Sequence, residues 1–216
     1  MRMQHTKKLV TLSMLAALAY VAVFFFRIPV VLFLKYEPKD VVLAIGGFLY
    51  GPLSACALSV VVSLLEMVTI SGTGVWGCLM NIISSCSFAG TAALFYRRRH
   101  TLKGAVLGLF AGWFLTVPVM LLWNYLVTPI YTGYPRAMVA QLLLPAFLPF
   151  NLLKGGLNAS ITLLLYKPVV GALRRAKLAP PSQSSGSAGR RGGVVLAAGA
   201  VLVSGVLLLL ALRGNG

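Results

Sequence analysis

The feature that most constrains this chain is a series of long apolar runs that follow one another along most of its length. Hydrophobic residues make up 59% of the 216 residues and charged residues only 10%, whereas soluble domains carry about 25% charged residues. A helix needs about 20 apolar residues to cross a bilayer. The sequence therefore predicts an all-α integral membrane protein, a bundle of six transmembrane helices at about 9–26, 40–50, 52–70, 75–96, 103–127 and 145–170.

The predicted second helix is the shortest, and the Gly51-Pro52 pair ends it. Proline cannot continue the hydrogen-bond ladder of a helix, so a new helix is expected to begin there. The stretch before this helix, RIPVVLFLKYEPKD, mixes apolar and charged residues and is expected to be a loop outside the membrane. Gly46 and Gly47 are interpreted as sites of close helix packing.

The basic residues lie mainly in the connections between apolar runs, although the net charge is +16. With a cytoplasmic N-terminus, 13 Lys and Arg residues fall on the cytoplasmic side and 5 outside, and Lys154 lies within the membrane. Cytoplasmic loops carry such an excess of Lys and Arg. The sequence thus predicts a multi-pass protein of the cell membrane with its N-terminus inside. Nucleic-acid binding is not expected, because that needs a basic soluble face.

The C-terminal part has a different composition. Residues 1–176 are predicted to form the membrane domain, and residues 177–193, rich in Pro, Ser and Gly, to form a flexible linker. The apolar residues 194–213 are predicted to form a seventh transmembrane helix without assigned chemistry.

The sequence lacks the residues that several kinds of chemistry require. The chain has no G-x-x-x-x-G-K-[ST] phosphate loop, and both histidines, His5 and His100, fall in predicted cytoplasmic segments. Its three acids are Glu37 and Asp40, in the first outer loop, and Glu66, interpreted as an interfacial or pocket-rim residue. The sequence therefore predicts neither an enzyme nor a metal site, and no cofactor.

A polar stripe interrupts the last apolar run of the bundle, in PFNLLKGGLNAS. Asn151, Lys154 and Asn158 are three and four residues apart and so share one face of a helix. One interpretation is that Lys154 reaches the outer headgroups while the Asn residues join neighbouring helices. The other is a water-accessible pocket near the outer face, where polar residues within the membrane bind a solute.

A second polar group lies at the predicted outer end of the fifth helix. Asn124 stands between Trp123 and Tyr125, which on their own are typical of an interfacial aromatic belt. Combined with the stripe, they would suit a flat heteroaromatic ligand with a polar edge. An amide supplies both a donor and an acceptor to such an edge, and a lysine supplies donors.

At these residues the sequence resembles a known family. The blocks LKYEPKDVVLAIGGFLYGP and PFNLLKGGLNASITLLLYK, with the WNY element, resemble the riboflavin-specific S components of energy-coupling-factor (ECF) transporters. The resemblance covers about residues 7–175. It implies a subunit that captures riboflavin, its transported ligand, at the outer face, and that needs a transmembrane coupling (T) subunit and two ATP-binding cassette ATPases for uptake.

The resemblance also implies roles for residues. Asn124, Asn151 and Lys154 would hold the isoalloxazine edge, and the first outer loop would act as a lid. Further pocket or lid residues would be Leu34, Lys35, Tyr36, Asp40, Trp123, Tyr125 and Asn158. Small residues on the first helix would face the coupling subunit, namely Ser13, Ala16, Ala17 and Ala19.

Two alternatives stay open at this point. The chain could be an S component for another vitamin or heterocycle, because the shared scaffold is better marked than the ligand. It could also be a structural or assembly protein of the membrane, whose polar stripe only joins helices.

Overall fold

The computed structural model describes residues 2–32 and 34–178, together with the isolated residues 198, 199, 201, 203 and 205. It is mostly helical, as predicted. The helices are α1 (Arg2–Phe25), α2 (Lys39–Tyr50), α3 (Pro52–Thr69), α4 (Gly74–Ser85), α5 (Thr91–Arg98), α6 (Leu102–Thr132), α7 (Arg136–Leu142) and α8 (Leu148–Arg175). One π-helical turn, Cys86–Gly90, joins α4 to α5, and another, Leu143–Phe147, joins α7 to α8.

Five helical stretches in the described part of the chain are long and apolar enough to cross a membrane. They are His5–Phe25, Pro52–Thr69, Gly74–Arg98, Leu102–Thr132 and Arg136–Arg175. The remaining predicted span, α2, has 12 residues and so extends only about 18 Å. The chain is therefore a mostly helical, multi-pass membrane protein in which α2 is shorter than the five long stretches.

The expected break at Gly51-Pro52 is present. Gly51 has a φ of 90°, a positive value that glycine adopts without steric penalty. Pro52 is the first residue of α3, where its missing N–H leaves no hydrogen bond unmade.

The stretch predicted as a loop before α2 is partly a β-hairpin, which departs from the all-α prediction. Strands β1 (Ile28–Val31) and β2 (Leu34–Tyr36) pair antiparallel, with Ile28 opposite Tyr36. Leu34 and Tyr36 are buried and Lys35 is exposed, the alternation expected of a strand with one covered face. The hairpin covers one end of the bundle, hereafter the hairpin end.

Glycines set the close contact of α6 with the α4–α5 helix. A Cβ on Gly108 would lie 2.5 Å from the Ala92 carbonyl oxygen, and one on Gly112 would lie 2.4 Å from the Phe88 carbonyl oxygen. The spacing G-x-x-x-G-x-x-x-G from Gly104 to Gly112 is typical of tightly packed membrane helices. The interpretation of Gly46 and Gly47 as packing sites is confirmed, since Cβ atoms there would overlap neighbouring side chains.

The small residues of α1 divide between two faces. Ala16 and Ala19 lie in the hydrophobic core with residues of α2 and α3, whereas Ser13 and Ala17 are exposed. Ala16 and Ala19 therefore pack within the chain, and Ser13 and Ala17 lie on the surface of α1.

The structure describes only part of the predicted linker 177–193 and the predicted seventh helix 194–213. Lys177 and Leu178 are described, as are the five isolated residues, and those five are helical. The remainder of both segments lies outside the described residues. Gly205 lies against α8, where a Cβ would come within 2.6 Å of the Leu157 side chain.

A hairpin-end ion network, formed by Arg27, Glu37, Lys39 and Glu66, ties the hairpin to α2 and α3. The Lys39 ammonium lies 2.7 Å from both Glu66 carboxylate oxygens and 3.0 Å from Glu37 Oε2. Arg27 Nε lies 2.8 Å from Glu37 Oε1. Glu66 is therefore not the interfacial or pocket-rim residue that the sequence predicts, because it is 1% exposed and paired with Lys39.

The first prediction concerns Lys39. Lys39→Met removes the cation between two buried carboxylates, and breaking a buried pair in this way destabilises by about 3 to 5 kcal/mol. We expect a clear fall in the thermal unfolding temperature of the detergent-solubilised protein. Lys35→Met is the matched control, because Lys35 is an exposed lysine of the neighbouring hairpin. Equal unfolding temperatures for the two variants would contradict a stabilising role for the network.

The second prediction tests the contact made by α6. Gly112→Ala places a methyl group against the Phe88 carbonyl oxygen and should destabilise by about 1 to 3 kcal/mol. Gly171→Ala, within α8, is the control, because among the described residues no atom beyond its chain neighbours and the adjacent backbone of α8 lies within 4 Å of a Cβ there. That change should be neutral or slightly stabilising. Equal unfolding temperatures for Gly112→Ala and Gly171→Ala in the same assay would contradict a close contact at Gly112.

Candidate binding site

A cavity of about 320 Å³ lies at the hairpin end, at the lower end of the range of small-molecule sites. Its walls come from the hairpin, the α3–α4 turn, α4, α6 and α8. Five residues predicted for the site line it, namely Leu34, Lys35, Asn124, Asn151 and Lys154. The fold thus brings the polar residues of the two predicted helix ends to one cavity.

Asn124 and Asn151 are both buried, and each is held by its own helix. The amide nitrogen of Asn124 donates to the Met120 carbonyl at 2.7 Å, and that of Asn151 donates to the Phe147 carbonyl at 2.7 Å. The Thr128 hydroxyl donates to Asn124 Oδ1 at 3.0 Å. These bonds fix the amide planes, and each amide has two donor hydrogens and two acceptor positions in total. Both side chains can therefore offer a further hydrogen bond in a fixed direction.

Lys154 supplies a cation to the same wall. Its side chain is 11% exposed, and its ammonium lies 3.6 Å from Asp40 Oδ2. The following Gly155 lets α6 approach, since a Cβ there would come within 2.1 Å of the Trp113 ring. The glycine pair after Lys154 thus serves the contact of α8 with α6, which places both helices at one cavity.

Three residues predicted for the site do not line the cavity and lie behind its wall, namely Tyr36, Asp40 and Asn158. The Tyr36 hydroxyl donates to Asn158 Oδ1 at 3.1 Å, and the Asn158 amide donates to Asp40 Oδ2 at 3.1 Å. The Ser85 hydroxyl donates to Asp40 Oδ1. These residues and Lys154 form a cluster, hereafter the Asp40 cluster: Tyr36, Asp40, Ser85, Lys154 and Asn158.

Trp123 and Tyr125 are not among the described residues that line the cavity. Successive residues of a helix point about 100° apart, given 3.6 residues per turn, so the two neighbours of Asn124 cannot share its face. Tyr125 is 39% exposed on the outside of the bundle. The aromatic residue of α6 that does line the cavity is Tyr131, seven residues after Asn124 and on the same face.

Arg27, Glu37 and Asn81 also line the cavity. Sequence reasoning missed Arg27 and Asn81, and it placed Glu37 in the predicted lid without giving it a role. Burial alone raises the pKa of the Glu37 carboxyl, but the charges of Lys39, Lys154 and Arg27 outweigh it and hold this pKa below its ordinary value. Glu37 is therefore an anion at neutral pH. Asn81 donates to Glu66 Oε2 at 2.9 Å, which connects the cavity wall to the ion network. Helical periodicity cannot reveal that these residues meet at one cavity, because they lie on different elements.

The cavity can thus bind a solute through fixed amides, a cation and an anion. Among the residues that the structure describes, no three His, Cys, Asp or Glu side chains are placed to hold a metal ion. The arrangement makes this cavity a candidate binding site for a small molecule with polar groups.

Comparison with known proteins agrees with this description. The family model for "ECF transporter, substrate-specific component" matches residues 7–166. The chain is 30% identical over 183 residues to the riboflavin transporter RibU of Staphylococcus aureus (strain TCH60), covering 81% of this chain and 96% of that protein. It is 29% identical over 161 residues to the riboflavin transporter FmnP of Bacillus subtilis (strain 168), covering 69% and 84%.

A solved structure supports the same relationship. The chain superposes with a TM-score of 0.68 and 29% identity on a protein described under "Structure and mechanism of the S component of a bacterial ECF transporter", covering 79% of this chain and 99% of that one. The family model, the curated relatives and the fold agree. The chain belongs to the substrate-specific (S) components of ECF transporters.

Proposed function

We propose that this chain captures riboflavin at the outer face of the cell membrane and delivers it for ATP-driven uptake. The observation that carries the proposal is the cavity that unites Asn124, Asn151 and Lys154. The curated relatives described above are named as riboflavin transporters, which supports riboflavin as the ligand.

The polar edge of the isoalloxazine ring matches these side chains. An imide presents two carbonyl acceptors around one N–H donor. Lys154 can donate to a carbonyl, and Asn124 and Asn151 can each donate or accept. Tyr131, Phe150 and Met120 add apolar surface to the same cavity for the flat ring system. Riboflavin is therefore transported cargo here, and no cofactor is part of the proposal.

The orientation follows from the charge distribution. With the N-terminus of α1 in the cytoplasm, the hairpin end faces outward, and the basic cluster at residues 97–99 faces inward. We count α2 as one of the six helices of the bundle, together with the five long helical stretches, although α2 is short. The proposed domain is 1–176, followed by the linker 177–193 and a seventh helix at 194–213.

The hairpin is proposed to act as the lid. Leu34 and Lys35 line the cavity from the hairpin side, and the hairpin closes the end of the bundle through which an external ligand would enter. Uptake is proposed to need a transmembrane coupling subunit and two ATP-binding cassette ATPases, because the chain has no phosphate loop. Ser13 and Ala17 on α1 offer the coupling subunit a surface of small residues.

The third prediction addresses the cavity directly. Lys154→Met keeps much of the apolar stem and removes every donor. A hydrogen bond with a charged group contributes roughly 1.5 to 3 kcal/mol, so riboflavin affinity should fall on the order of 10- to 100-fold. Asn151→Leu should also weaken binding, because it leaves polar ligand groups unpaired.

Isothermal titration with riboflavin measures both changes. Tyr125→Leu serves as the control, because Tyr125 faces away from the cavity and this variant should bind as the unmodified protein does. Unchanged affinity in both Lys154→Met and Asn151→Leu would mean that the stripe only joins helices and that riboflavin binds elsewhere.

The fourth prediction separates binding from transport. Proteoliposomes that contain this chain alone should bind riboflavin without accumulating it. Thiamine, biotin and folate should fail to compete. Concentrative uptake by the isolated chain would exclude dependence on partners, and stronger competition by another vitamin would exclude riboflavin as the cargo.

A further inference from the structure

The two buried lysines of the hairpin end are held in different ways. The Lys39 ammonium lies within 3.0 Å of both Glu37 and Glu66, so its donors are directed at carboxylates of the protein. The Lys154 ammonium lies 3.6 Å from the Asp40 carboxylate, beyond the usual hydrogen-bond distance. A lysine ammonium has three donors. Lys154 can therefore keep its donors for a ligand in the cavity while a carboxylate nearby balances its charge.

Asp40 is held by residues from several elements. It lies in the first turn of α2, where a negative charge is favourable next to the helix N-terminus. Ser85 from α4 donates to one carboxylate oxygen and Asn158 from α8 donates to the other, at 3.1 Å. The carboxylate is 1% exposed and does not line the cavity. Its place is thus fixed before any ligand binds.

Lys154 needs such a fixed partner. Its flexible four-carbon stem loses rotamer entropy when the ammonium is held in one place, and a largely buried cation without a counter-ion is unfavourable. Asn158, one turn after Lys154 on the same face of α8, donates to the same Asp40 oxygen that lies nearest the ammonium. The Tyr36 hydroxyl in turn donates to Asn158, so the hairpin also holds this arrangement.

From this geometry we infer that Asp40 is a positioning residue: it holds the Lys154 ammonium at the cavity wall with its donors free for the ligand, and Asn158 and Tyr36 support Asp40 from behind. The inference rests on the proposed riboflavin site. Tyr36, Asp40 and Asn158, which the resemblance gives as pocket or lid residues, would then act on the ligand through Lys154.

A double-mutant cycle tests the inference through riboflavin affinity measured by isothermal titration. Asp40→Asn in the otherwise unmodified protein should weaken binding about tenfold, as expected for disturbing a charged hydrogen bond. In the Lys154→Met background the same change should alter affinity by no more than about twofold, the scatter of independent sites. Equal losses in both backgrounds, or no loss from Asp40→Asn alone, would overturn the inference.

Lys35→Met provides the matched control background, because Lys35 also lines the cavity but belongs to the hairpin strand. The loss of affinity caused by Asp40→Asn should be the same with and without Lys35→Met, so that the two changes are additive. If the effect of Asp40→Asn disappeared in the Lys35→Met background as well, the site would be lost in a general way, which would contradict a specific action on Lys154.

Thermal unfolding without riboflavin gives a second readout that does not depend on the ligand. Asp40→Asn removes the carboxylate that lies 3.6 Å from the buried Lys154 cation, so the double variant with Lys154→Met should unfold at a higher temperature than Asp40→Asn alone. If Asp40→Asn does not fold, recovery of folded protein by Lys154→Met supports the pairing, and failure of both overturns it. Absence of riboflavin binding in the unmodified protein would instead reject the proposed function, while this unfolding cycle would still decide the role of Asp40.

Discussion

The rest of the hairpin end depends on one ammonium group, that of Lys39, between the carboxylates of Glu37 and Glu66. The two buried carboxylates repel each other. Their attraction to the Lys39 ammonium between them offsets their loss of hydration only while all three groups stay in place. Glu37 belongs to the end of the hairpin, Lys39 to α2 and Glu66 to α3. The interaction therefore fixes three elements against one another, and the cavity lies beside them, against α6 and α8.

The charge balance of this region explains why an acid-poor chain still has three acids. The chain contains 19 Lys and Arg residues and only three Asp and Glu residues, and all three acids are buried at the hairpin end. Arg27, Lys39 and Lys154 supply the matching positive charges. None of the acids is left for the solvated surface. Burial of a charge in a membrane protein is expensive without a partner, so each acid has a specific structural or positioning task.

The sequence allows prediction of those features that depend only on residues close together in the chain. The break at Gly51-Pro52 depends on the backbone of two residues, and the shared face of Asn151, Lys154 and Asn158 depends on helical spacing alone. The same helical spacing places Trp123 and Tyr125 on other faces of α6 than Asn124. It places Tyr131 on the same face as Asn124, toward the cavity. The convergence of Glu37, Asp40 and Glu66 cannot be read in this way, because it depends on how α2, α3 and the hairpin pack. The hairpin itself is indicated only by a short alternation at Leu34, Lys35 and Tyr36.

The segment of residues 34–40 joins the cavity wall to its charges within seven consecutive positions. Leu34 and Lys35 line the cavity, Tyr36 reaches Asn158, Glu37 and Lys39 form the ion network, and Asp40 faces Lys154. Alternation along β2 turns Tyr36 inward, away from the side on which Lys35 is exposed, and the start of α2 then turns Asp40 toward α8. A displacement of the hairpin would therefore change both the cover of the cavity and the support of Asn158 behind its cation. The shape of the site and the position of its charge are set by one short piece of chain.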